Sequence, residues 1–80
     1  MKKKKYYFLR MGNDYLEQAE RYRTQKDAME AYKETARELA QYGQAMSATL
    51  HIAPSRDAVV EYPDYVLTLS ERGAVIKEQA

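Results

Sequence analysis

The sequence predicts an α+β domain of two layers, in which one amphipathic helix lies on a mostly antiparallel sheet of three or four strands, in the order β-α-β-β. Three observations carry this. Apolar residues between Thr24 and Tyr42 recur at helical spacing. Short runs before and after that stretch alternate with a period of two, and each is bounded by Gly, Pro, Asn or Asp. A lone helix cannot bury its apolar side unless a sheet receives it.

The first strand is expected over Lys5 to Met11, rich in aromatic and aliphatic side chains on both faces as an interior strand would be, and Gly12-Asn13-Asp14 ends it with turn chemistry. Tyr15 to Arg23 is compatible with a loop, an irregular strand or an early helical turn. The helix follows. With Asp27 at zero on a wheel of about 100° per residue, Ala28, Leu39, Tyr32, Ala36, Met29 and Ala40 share one apolar side. Lys33, Lys26 and Arg37 flank it, and Asp27, Glu30, Glu34 and Glu38 form an acidic ridge. Thr24 with Asp27 is a variant capping box, and Gly43 can adopt the left-handed conformation that stops a helix. A start at Asn13 or Asp14 is disfavoured because Gln25 and Lys26 interrupt the longer apolar stripe.

Beyond Gly43, Met46, Ala48, Leu50 and Ile52 alternate with Ser47, Thr49 and His51, which predicts a strand with one buried face. Pro54 ends it. Ser55 is placed to cap a short helical turn through Val60 before Pro63 forbids continuation. Tyr65 to Leu69 is a second alternating strand, Ser70 to Gly73 a hairpin turn, and Ala74 to Lys77 a short edge strand whose Lys77 and Glu78 discourage further pairing. The helix covers one sheet face, so the other is expected to stay open unless a partner or a second copy covers it.

Eighty residues form one domain, 1–80, with a thin core, and residues 1–4 read as a flexible basic tail. Without cysteine there is no disulfide, thiol nucleophile or thiolate metal site. Met1 to Lys5 followed by an apolar run has the outline of a secretory leader, but the run stops at Arg10 without a cleavage site, so a cytoplasmic protein is expected. No stretch approaches the length of a membrane span.

Catalytic signatures are missing from the pattern, and an enzyme is not predicted. His51 is the single histidine; acid–base work would require Asp57, Glu61 or Asp64 beside it, and the strand pattern places it facing away from the helix, towards solvent. Ser47, Ser55 and Ser70 lack a nucleophile elbow. Gly12, Gly43 and Gly73 form no phosphate loop. Neither a metal nor another cofactor is expected.

Charge and tyrosine content point to binding instead. Residues 1–26 carry eight Lys and Arg against three acids, and residues 27–80 carry five against nine, so a net charge of +1 hides two opposed patches. Eight tyrosines are a heavy load for this length; Tyr32, Tyr65 and one of Tyr6 or Tyr7 serve the core, which leaves Tyr15, Tyr22, Tyr42 and Tyr62 as contact candidates. A basic surface of Lys2 to Lys5, Arg10, Arg21, Arg23 and Lys26, interleaved with Tyr6, Tyr15 and Tyr22, would suit direct nucleic-acid binding. The acidic ridge, with carboxylates about 5 to 6 Å apart along the helix, would suit a basic nucleic-acid channel on a protein or nucleoprotein partner. A structural homodimer closing the open sheet face is the third reading. The residues assigned to partner contact are Asp27, Glu30, Glu34, Glu38, Lys26, Lys33, Arg37, Tyr15, Tyr22, Arg21 and Arg23.

A small cysteine-free β-α-β-β domain with polarised charge and many tyrosines resembles the accessory proteins of phages and mobile elements, among them anti-CRISPR proteins that bind an effector complex and exclude DNA. The resemblance lies in size and architecture, with no matching motif, so it transfers no residue roles. It implies a stoichiometric inhibitor or adaptor of a nucleoprotein complex.

Overall fold

A computed structural model describes residues 5–80; the basic tail expected over residues 1–4 lies outside them. The chain forms β1 (Tyr6–Met11), β2 (Glu20–Tyr22), α1 (Gln25–Gln41), β3 (Ala48–Ala53), β4 (Tyr65–Leu69) and β5 (Val75–Gln79), with 3-10 turns at Leu16–Gln18 and Arg56–Ala58. The two-layer α+β architecture is as predicted. The sheet has five strands in the order β2-β1-β3-β4-β5, and every neighbouring pair is antiparallel. The additional strand is β2. Only three residues long, it offers no alternation to read, and its place comes from the ladder that pairs Tyr7 with Tyr22 and Leu9 with Glu20.

α1 starts and stops where its capping residues dictate. Thr24 has extended backbone and its hydroxyl accepts from the Asp27 amide at 3.1 Å. At the other end Gly43, at φ +73°, donates to Ala40 O, and Gln44 donates to Leu39 O, the paired bonds of a Schellman closure. Ala28, Tyr32 and Ala36 are buried against Leu9, Ala48, Leu50 and Leu67 of the sheet. The Tyr32 hydroxyl donates to Met46 O at 2.8 Å, so the ring is buried with its polar tip satisfied. Met29 and Leu39 are half-buried at the margins of the interface. Ala40, expected on the buried side, is exposed because it borders an open groove of about 670 Å³ between the end of α1 and the β4–β5 hairpin.

The second sheet face departs from expectation. Strand alternation puts Tyr6, Phe8 and Arg10 of β1 beside Thr49, His51 and Ala53 of β3 on the side away from α1. Residues 54–64 fold back over them. Arg56 lies over the Phe8 ring, with Cζ 5.3 Å from its centre, and donates to Glu17 O and Ala19 O at 2.9 and 2.8 Å. Phe8, Ala19 and Ala53 thereby form a second buried cluster, with Tyr6 and Val59 at its margin. The β1–β3 half of this face is covered by the chain itself, while Val66, Thr68 and Ile76 on the β4–β5 half are not. Ser55 precedes the 3-10 turn as predicted, but its side chain makes no capping hydrogen bond. No helix among the described residues is long and apolar enough to cross a membrane.

Candidate functional site

Asp27, Glu30, Glu34 and Glu38 are all exposed, on the side of α1 opposite Ala28, Tyr32 and Ala36. They form one ridge on one rigid element. Lys26 and Arg37 are exposed beside it and Lys33 is half-buried. Arg37 leans away, donating from Nε to Gly73 O at 3.2 Å and bracing the helix against the β4–β5 turn. The single ion pair among the described residues is Arg10 with Glu61 at 3.5 Å, so none of the ridge carboxylates is held in a direct ion pair, although Lys33 and Arg37 line one shallow pocket with Glu30 and Glu34. Beside the ridge a cleft of about 460 Å³ runs between α1 and the β1–β2 pair, and Glu34, Asp14 and Glu20 line it. The ridge therefore continues into an acidic recess.

The basic and aromatic candidates do not form one surface. Arg21 faces away from α1, with its Cζ 4.8 Å over the Tyr6 ring, whereas Lys26 is on the helix. Arg10 is half-buried, donating to Thr49 Oγ1 at 3.2 Å as well as pairing with Glu61. Tyr15 is exposed but follows the β1 turn, at the end of the sheet remote from Tyr6. Tyr22, expected as a contact residue, is half-buried against the core on the helix side, and its hydroxyl donates to Glu20 Oε2 at 3.3 Å. Burial first, and then the Glu20 carboxylate, raises its pKa. Tyr42 and Tyr62 are exposed, as expected of contact candidates.

His51 is the largest surprise of the site. Expected in solvent, it is 1% exposed. Residues 54–64 cover it, and strand parity predicts a side chain's face but not what lies over that face. Nδ1 lies 2.9 Å from Val60 O and Nε2 lies 3.0 Å from Thr49 Oγ1. A carbonyl only accepts, so Nδ1 carries the proton and Nε2 accepts from the threonine hydroxyl, which in turn accepts from Arg10. Glu61 pairs with Arg10, and the Asp64 carboxylate accepts from the Ile52 amide at 2.7 Å. Glu61 and Asp64, two of the three acids that acid–base work would need, are thus bonded elsewhere, the third, Asp57, is exposed on the Arg56–Ala58 turn, and His51 ties residues 54–64 to the sheet. No group of three or more His, Cys, Asp or Glu that could hold a metal occurs among the described residues.

Comparison with known protein families, characterised proteins and solved structures finds no match.

Proposed function

We propose that this protein is a small non-enzymatic binding protein of the cytoplasm, a stoichiometric inhibitor or adaptor that sets the acidic face of α1 against a basic, nucleic-acid-binding channel of a nucleoprotein complex. The mode of action is anti-CRISPR-like: the carboxylates occupy cations that otherwise hold phosphates. One observation supports it most. Asp27, Glu30, Glu34 and Glu38 sit exposed at successive three- and four-residue steps, none held in an ion pair among the described residues. Like charges at this spacing cost a helix roughly 0.2–0.5 kcal/mol per pair, a cost that Lys26, Lys33 and Arg37, three or four residues from Glu30 or Glu34, offset in part. Local costs of this kind concentrate where function offsets them.

The test uses the full chain and the double variant Glu30→Gln/Glu34→Gln. Immobilised wild-type protein recovers a discrete multisubunit complex from lysate, and added wild-type protein displaces nucleic acid from that complex at a one-to-one ratio. The variant melts at the same or a higher temperature and loses both properties. Equal displacement by the variant, or turnover of any captured component, overturns the reading.

A further inference from the structure

Arg21 and Arg56 stand over neighbouring aromatic rings on the sheet face remote from α1. The Arg21 Cζ is 4.8 Å from the centre of Tyr6 and the Arg56 Cζ 5.3 Å from the centre of Phe8. Tyr6 and Phe8 are two residues apart on one strand and share a face, so the stacks repeat at about 6.6 Å. Arg23 is exposed two residues beyond Arg21, and Lys5 is exposed at the start of β1, directly after the Lys2–Lys4 run of the sequence.

We propose that Arg21 and Arg23, with Arg56 beside them, form a docking row for the phosphate backbone of a nucleic acid, separate from the acidic ridge and independent of its function. A guanidinium seated over a ring face is held in place by the ring, and N–H groups not engaged by the protein stay available to a phosphate. Arg21 makes no hydrogen bond or ion pair among the described residues beyond its stack. Arg56 commits two N–H donors to the Glu17 and Ala19 carbonyls, which fixes its charge in place and leaves three of its five. Of the acids nearby, Glu20 faces the helix side and bonds Tyr22, and Glu61 is paired with Arg10. Glu17, whose carbonyl Arg56 holds, and Asp57, next to Arg56 in the chain, add negative charge at that end, so Arg21 and Arg23 carry most of the contact and Arg56 a minor share. Because the arginines already cover both rings, bases find no bare aromatic platform here. The row reads backbone, not sequence.

Fluorescence anisotropy of a labelled oligothymidylate, titrated with the full chain at several salt concentrations, tests the proposal. Wild-type protein binds, and Arg21→Gln/Arg23→Gln lowers the affinity about tenfold and reduces the slope of log K against log salt by roughly 1.4, at about 0.7 per lost contact. Arg72→Gln/Lys77→Gln removes the same net charge from the β4–β5 hairpin and leaves the titration unchanged. Both pairs lie on the surface, and a matching thermal melt shows that each variant folds. The proposal is overturned by any of four results: no binding by wild type, equal losses in the two double variants, loss only on replacing Lys2–Lys4 with Gln, or capture of phosphatidylserine vesicles in preference to the oligonucleotide. No partner complex enters this assay, so its failure leaves the ridge reading standing, and failure of lysate capture leaves this one.

Discussion

His51 is held neutral by what surrounds it. Burial lowers its pKa from the ordinary value and the Arg10 charge lowers it further, against the opposing pull of the Val60 carbonyl, Asp64 and Glu61. Protonating Nε2 would put a donor against Thr49 Oγ1, which already accepts from Arg10, and the hydroxyl proton would then have to find another acceptor. The unfolded chain therefore takes up the proton before the folded one does. Stability from this residue is complete above the unfolded value of about 6.5 and drains away as pH falls from there towards the lower folded value, with a slope of at most about 1.4 kcal/mol per pH unit for one proton. Urea midpoints measured from pH 7.5 to 5.5 should fall for the wild type, and His51→Gln should remove that component of the slope while lowering stability throughout. A wild-type midpoint that rises on acidification would mean that Asp64 and Glu61 outweigh burial. The residue scale also shows the limit of reading a pattern: alternation put His51 on the correct face, but its burial depends on residues 54–64, which have no periodicity to reveal where they fold.

The elements that were legible are those whose ends are chemically marked. α1 is bounded by Thr24 and Gly43, and β4 occupies Tyr65–Leu69 as its alternation predicts. β2 was not legible, because three residues of mixed character become a strand only when β1 supplies the ladder. The caps of α1 give two predictions. Thr24→Ala removes the acceptor for the Asp27 amide and should cost about 1 kcal/mol, or roughly 4–8 °C in melting temperature for a domain of this size; Thr24→Asn should restore most of it. At Gly43 a Cβ meets nothing within 4 Å, so Gly43→Ala is penalised only for its positive φ, by about 1 kcal/mol. Gly12 separates the two causes. Its φ is also positive, but an added Cβ would lie 2.8 Å from Met46 Sδ. Gly12→Ala should therefore exceed Gly43→Ala in a side-by-side thermal melt, unless Met46, half-exposed and flexible, swings clear. Equal losses would show that conformation alone sets both.

At the scale of the whole molecule two local patches of opposite sign lie on opposite sides, the acidic ridge outside the helix layer and the arginine row outside the sheet layer. The sequence announced the polarity through the uneven charge of residues 1–26 and 27–80, but not that antiparallel pairing would carry Arg21 to the side opposite the ridge. A net charge of +1 supplies little long-range repulsion between copies. The helix face of one molecule can therefore meet the sheet face of the next, a head-to-tail contact without the two-fold symmetry that closes a dimer. Such contacts between exposed charges are weak and fade once the screening length falls below the reach of the patches, about 10 Å at 0.1 M salt. Light scattering should show an average mass that climbs with protein concentration in dilute buffer and returns to that of the 9.3 kDa chain in roughly 0.3 M salt. Arg21→Gln/Arg23→Gln and Glu30→Gln/Glu34→Gln should each abolish the climb, because each removes one half of the contact. A dimer of fixed mass that persists at high salt would place the association on the uncovered Val66, Thr68 and Ile76 strip of the sheet instead, since apolar burial is not screened by salt.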